Sequence, residues 1–137
     1  MITNVTTTRI RYGETDRMGY AYYGNYLLYY EIGRTELIRQ LGLTYKQLED
    51  GGILLPVHSV NLRYLGPALY DDLITIKTIL KELPAASITF EHEILSGDGR
   101  LINTGSVKLV FVDAVSRKPI RAPESFLLHV TPFFDKR

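Results

Sequence analysis

One stretch of this chain, from about Tyr23 to Leu41, repeats its apolar residues with the period of an α-helix, and the residues beyond it read mainly as strands. Tyr26, Leu27, Tyr30, Leu37, Ile38 and Leu41 return at steps of three and four, while Glu31, Glu36 and Arg39 fall mostly between them. The spacing predicts an amphipathic helix of about five turns. Gly33 inside it costs roughly 1 kcal/mol relative to alanine, so its presence predicts close approach of the helix to a sheet. Gly42 supplies a stop. Thr44 to Glu49 fits one short capped turn, closed by Gly51 and Gly52.

Ahead of the helix, Thr6 to Tyr12 alternates β-branched, polar and aromatic residues as a half-buried strand does. After it, Leu54 to Tyr64, Leu73 to Leu83, Ser87 to Leu95 and Leu101 to Asp113 also read as strands. Gly66-Pro67 with Asp71-Asp72, then Pro84, then Gly97-Asp98-Gly99 separate them, and turn chemistry of this kind predicts antiparallel pairing of consecutive strands. Pro123 and Pro132 bound a short C-terminal helix over Glu124 to His129. A long helix against an antiparallel sheet is an α+β arrangement. With 137 residues and neither a repeat nor a linker, one domain over residues 1–137 is expected.

The chain has no cysteine, which excludes disulfides, a thiolate nucleophile and cysteine-ligated metal. His58, His92 and His129 are too scattered for a metal-ligand spacing, so no metal site is expected. Sixteen basic against fifteen acidic residues leave a net charge of +1 without a basic block, which argues against a nucleic-acid partner. No apolar run approaches the ~20 residues that span a bilayer, and no basic region followed by an apolar stretch opens the chain. Membrane insertion is therefore not expected, and a cytoplasmic location is.

The chemistry concentrates in Asp16-x-x-Gly19-x-x-x-Tyr23-x-Asn25-Tyr26. Asp16 lies in a glycine-bearing loop, and the helix begins seven residues later. The first peptide N–H groups of a helix have no intrahelical partner. At the positive end of the macrodipole they can polarise a carbonyl, and a carboxylate beside them can attack that carbonyl or activate a water that does. Acyl transfer needs both halves. An isolated loop aspartate more often only caps a turn, and Tyr23 can equally be a packing aromatic. Seven of the ten tyrosines lie between Tyr12 and Tyr30, where they either line a pocket or fill a core.

Residues Tyr12 to Tyr30, followed by Glu31, Arg34 and Glu36, resemble the signature of the 4-hydroxybenzoyl-CoA thioesterase family of acyl-CoA hydrolases. Arg63 to Asp72 is similar to a second family segment, a strand and the turn after it. The resemblance implies a hotdog fold, in which the sheet wraps the central helix, and a homodimer or homotetramer. It implies that Asp16 is the catalytic carboxylate, as nucleophile or as general base, with a backbone N–H of Tyr23 or Gly24 as oxyanion donor. Many relatives carry histidine where Tyr23 stands, so an imidazole role is not carried over. Asn25, Tyr26, His58 and Arg63 are the candidate substrate-binding residues. The substrate implied is a small-molecule acyl-CoA, hydrolysed to free acid and CoA without a cofactor. Where some members hold CoA phosphates with basic residues, this chain has Pro84-Ala85-Ala86, leaving Arg63, Lys77, Lys81 or Arg100 as substitutes and an acyl-carrier-protein thioester as an alternative substrate.

Other readings meet specific residues. A second thioesterase branch places its carboxylate on the central helix, which makes Glu31 a secondary candidate, although Glu31 and Arg34 fit a surface ion pair one turn apart. Hotdog hydratases place histidine five residues after the aspartate, where this chain has Ala21. A non-catalytic acyl-binding protein of the same fold is the third alternative.

Overall fold

The computed structural model describes residues 1–134. Five strands form one antiparallel sheet: β1 (Ile2–Arg9), β3 (Val57–Tyr64), β4 (Leu73–Leu80), β5 (Ser87–Leu95) and β6 (Leu101–Val110), in the order β1-β4-β5-β6-β3. β2 (Ile53–Leu54) and β7 (Val112–Asp113) make a separate two-stranded ribbon. The helix α1 (Tyr26–Gln40) lies across the sheet, with the short helices α2 (Tyr45–Asp50) and α3 (Glu124–Val130) beyond it.

The expected long helix divides at its start. Tyr23–Asn25 is a tighter 3₁₀ turn, and α1 begins at Tyr26. Its end follows the expectation in detail. Gly42 has a φ of +92°, its N–H donates to the Arg39 carbonyl at 2.9 Å, and the N–H of Leu43 donates to the Ile38 carbonyl at 3.2 Å. This is a Schellman stop. Thr44 caps α2 by accepting from the Gln47 N–H at 3.0 Å, while the Gln47 side chain accepts from the Thr44 N–H at 2.9 Å.

Gly33 supports its predicted role. A Cβ there would fall inside contact distance of Thr78 Oγ1 and 2.9 Å from Ile76 Cγ2, both on β4. The buried face of α1 carries Tyr26, Tyr29, Tyr30, Leu37 and Ile38, packed on Ile74, Ile76, Phe90 and Val107 of the sheet. A polar seam also runs through this core. Tyr30 donates to Asn103 Oδ1, its ring stacks on His92 at 4.3 Å, and His92 Nδ1 meets Thr78 Oγ1 at 3.1 Å. Burial, helped by the Arg34 cation, pushes the His92 imidazole down to about 3, so it is neutral at pH 7.

Consecutive pairing holds for β4, β5 and β6 but not for β3, which pairs with β6, while β1 takes the free flank of β4. The reason is the link over residues 65–72. Leu65 and Gly66 donate to the Ile102 carbonyl, and Ala68 accepts from the Ala21 N–H at 2.7 Å. Held in this way, and bridged to Tyr20 at Leu69, the link pairs with the Asp16 loop instead of folding back as a hairpin. The first strand ends earlier than its alternation implies, at Arg9, because Tyr12–Glu14 forms a 3₁₀ turn. Pro56, which lacks an N–H, separates β2 from β3.

α1 leaves β3 uncovered. Val60 and Tyr64 pair with buried Val107 and Asn103 and so share their face, yet remain 40% and 47% exposed. Leu27, Leu28 and Ile32 of α1 are exposed as well.

Candidate functional site

The segment from Glu14 to Tyr22 folds into a tight loop whose backbone holds Asp16 in place. The Asp16 N–H donates to the Tyr20 carbonyl at 2.8 Å, and its carbonyl accepts from Gly19 at 3.0 Å. Gly19 has a φ of +82°, a left-handed conformation that favours glycine at this position of the motif. Asp16 Oδ1 accepts from the Met18 N–H at 2.9 Å and the Tyr20 N–H at 3.2 Å. No hydrogen bond from the described residues engages Oδ2. One carboxylate oxygen therefore holds the loop, and the other is available for chemistry.

Glu14, two residues earlier, is a structural group. Burial alone would raise its pKa, but hydrogen bonds from the Arg11 backbone and guanidinium and from the Tyr29 hydroxyl outweigh it and lower the value. The Glu14 carbonyl accepts from the Tyr22 N–H and from Asn25 Nδ2, each at 2.8 Å. Asn25 thus ties the helix start to the loop. That ties the loop carrying Asp16 to the 3₁₀ turn at Tyr23–Asn25, where the N–H groups of Tyr23 and Gly24 stand in the first turn and have no helical carbonyl to meet.

Asp16, Tyr20, Ala21, Tyr23, Tyr26 and Tyr64 line a cavity of about 390 Å³. Its walls are aromatic: Tyr64 approaches Tyr26 edge-on at 5.3 Å and Tyr23 at 6.3 Å, and donates from its hydroxyl to the Tyr23 carbonyl at 2.9 Å. Burial raises the Tyr26 phenol above its ordinary value, so it is neutral at pH 7. The cavity thus offers an apolar recess with a carboxylate and the positive end of a helix at its mouth.

Of the residues singled out in the sequence, the fold brings Asp16, Tyr23 and Tyr26 to this cavity, with Gly24 and Asn25 in the adjoining turn. It does not bring His58 or Arg63 there. Arg63 points to the opposite face of β3 from Tyr64, because successive strand residues alternate, and it pairs with Thr104. His58 lies six residues from Tyr64 along β3, about 20 Å at the rise of a strand. Tyr64 and Tyr20 are the residues that sequence reasoning missed. The turn after Tyr64 carried the signal, since Gly66 and Pro67 also border the cavity.

Glu31 and Arg34 are not a surface ion pair. Arg34 is 7% exposed, and among the described residues no ion pair joins the two. Both line a separate cavity. Among the cations considered for CoA, Lys81 pairs with Glu91 at 3.1 Å.

A family model described as the Thioesterase-like superfamily matches residues 10–130. An acyl-CoA thioesterase, YbgC, of Haemophilus influenzae is 31% identical over 117 residues, 85% of each chain. The crystal structure of a DHNA-CoA thioesterase from Staphylococcus aureus superposes with a TM-score of 0.92 at 31% identity, covering 98% of this chain and 92% of that one. A gentisyl-coenzyme A thioesterase superposes with a TM-score of 0.81 at 27% identity, over 89% of this chain and 98% of the other. With the antiparallel sheet curled on one long helix and an aspartate loop at that helix's start, the chain belongs to the thioesterase-like superfamily, as a thioester hydrolase of hotdog fold.

Proposed function

We propose that this protein hydrolyses an acyl-CoA to the free acid and CoA at the Asp16 pocket, within one hotdog domain over residues 1–137. The observation that carries this reading is the free Oδ2 of Asp16 beside the first turn of the helix at Tyr23–Asn25. The thioester carbonyl oxygen rests on the N–H of Tyr23 or Gly24. Charge that develops on it in the tetrahedral intermediate meets a fixed donor and the helix dipole. Either Asp16 attacks the carbonyl carbon, the C–S bond breaks to release the thiolate, and water then cleaves the resulting mixed anhydride to the free acid and the Asp16 carboxylate, or Asp16 takes a proton from a water that attacks the carbonyl carbon and the tetrahedral intermediate expels the thiolate. The acyl group lies against Tyr20, Tyr26 and Tyr64, and the aromatic walls suit an aryl or branched acyl group. The DHNA-CoA and gentisyl-coenzyme A thioesterases, both named for aromatic acyl groups, point the same way.

No metal or redox cofactor takes part, in keeping with the absence of cysteine and the separation of the three histidines. A thiol-release assay over a panel of aryl-CoA and alkyl-CoA thioesters, with the matching acyl-carrier-protein thioesters, tests the reading. Hydrolysis of an acyl-CoA that persists in chelator is expected. No turnover of any thioester would refute it, and chelator-sensitive turnover would refute the metal-free mechanism.

Tyr23→Phe separates the backbone from the side chain. The peptide N–H and the ring both persist, and the Tyr23 carbonyl still accepts from Tyr64. Activity within a few-fold of the parent is expected. A loss of kcat of about a hundredfold, the scale of a lost oxyanion donor, would assign the hydroxyl a catalytic part.

The active protein is a homodimer or homotetramer in the cytoplasm; among the described residues, no helix is long and apolar enough to cross a membrane. Assembly is argued from the exposed apolar residues of the edge strand β3 and of α1, since Val60, Leu28 and Ile32 are apolar side chains that a second copy's edge strand and helix would cover. Light scattering at micromolar concentration should give at least twice the chain mass of 15.6 kDa, and a monomer alone would exclude it.

A further inference from the structure

A buried cation lies away from Asp16. Arg34, on the buried side of α1, is 7% exposed, has no ion pair among the described residues, and keeps its Nε buried without a hydrogen-bond partner. A guanidinium does not deprotonate in a protein, and leaving it buried and unpaired is costly. The Tyr45 hydroxyl of α2 is buried beside it, and no acceptor among the described residues takes its O–H proton. Burial raises the Tyr45 phenol, the Arg34 cation and a hydrogen bond from its guanidinium to the phenol oxygen oppose the rise, and the Glu31 carboxylate adds to it.

Both groups line one cavity of about 400 Å³ whose apolar lining is Leu55, Val57 and Leu109. The other charges around it are accounted for or solvated. Arg39 pairs with Glu36 at 2.8 Å and Lys46 with Asp50 at 3.2 Å. Glu31 and Glu49 are exposed at the rim.

We propose that Arg34 and Tyr45 form a second ligand site, which takes the carboxylate of an organic acid with its apolar body against Leu55, Val57 and Leu109. A carboxylate matches the two vacant donors, one from a guanidinium and one from a phenol, with a charge-assisted geometry. The rim acids select against a phosphate dianion, which they would repel more than a monoanion. The apolar lining favours a carboxylate attached to a hydrocarbon over a small inorganic ion. Such a group arises from two sources: the acid released by hydrolysis, or the far end of an acyl group that carries its own carboxylate. Binding at this site is separate from the Asp16 pocket and is measurable without turnover.

The test titrates the full chain with benzoate while following the Arg34 Nε–H resonance by NMR. Saturable movement of that resonance is expected, with no such movement for benzamide and a weaker effect of inorganic phosphate. Tyr45→Phe, which keeps the ring, should weaken benzoate binding by about tenfold, the scale of one hydrogen bond to a charged group. Arg34→Gln should abolish it, and Asp16→Asn should leave it unchanged. An Arg34 resonance indifferent to benzoate, an equal response to benzamide, or full affinity in Tyr45→Phe would overturn the proposal. The two sources then separate by kinetics. Benzoate inhibition that disappears in Arg34→Gln assigns the site to the released acid. A KM in Arg34→Gln raised about tenfold for an ω-carboxyacyl thioester, but not for its methyl-ended analogue, assigns it to the substrate's far end.

Discussion

Asp16→Asn should fold and assemble as the parent does while kcat falls by at least about a hundredfold, the usual scale for a positioned base. The two halves of this expectation rest on different oxygens. Oδ1 holds the loop by accepting from the Met18 and Tyr20 N–H groups, and the amide oxygen of asparagine can accept from both in the same geometry, though without the added strength of a charged acceptor. The melting temperature should therefore change little. Oδ2 has no bond to hold among the described residues, and in asparagine its place is taken by an NH₂ that can neither attack a carbonyl carbon nor accept a proton from water. Glu31→Gln serves as the counterpart, because Glu31 lines the Arg34 cavity and not the Asp16 pocket. It should cost far less. Turnover by Asp16→Asn near the parent rate would end the proposed mechanism, and a dead Glu31→Gln would move catalysis onto α1.

Gly33→Ala should lower stability by about 2–3 kcal/mol, although alanine is the better helix former by roughly 1 kcal/mol. The opposing effect comes from β4. The new methyl would meet Thr78 Oγ1 within contact distance and Ile76 Cγ2 at 2.9 Å. Neither neighbour can move aside cheaply, since both are fully buried and Thr78 Oγ1 is bound to His92 Nδ1 at 3.1 Å. Helix and sheet must separate locally, which loosens the packing of Tyr30 and Leu37 that α1 supplies to the core. For a chain of this size the melting temperature should fall by about 5–10 °C. Gly13→Ala is the control, because a Cβ at Gly13 has nothing within 4 Å, and it should stay within about 0.5 kcal/mol of the parent. A Gly33→Ala protein as stable as the parent would show that the helix does not depend on this close approach.

Much of this protein was legible in local sequence, because the rules involved act over a few residues. The step of three and four located α1, the positive φ required at Gly42 located its end, and alternation with turn residues located β4, β5 and β6. The site was legible for the same reason. Asp16, Gly19, Tyr23 and Asn25 are close in the chain, and the hydrogen bonds within the loop and from it to the first turn of the helix span eleven residues or fewer, with the Ala21 bond to Ala68 as a long-range tie. Tertiary structure decided what depends on partners far along the chain. It put β3 beside β6 instead of β4, sent Tyr64 into the Asp16 pocket while Arg63 and His58 pointed elsewhere, and buried Arg34 where helical spacing to Glu31 implied a surface ion pair. A strand's neighbours and a helix's covered face are chosen by which apolar surfaces can be removed from water together. That choice is made between segments tens of residues apart, beyond the reach of any local pattern.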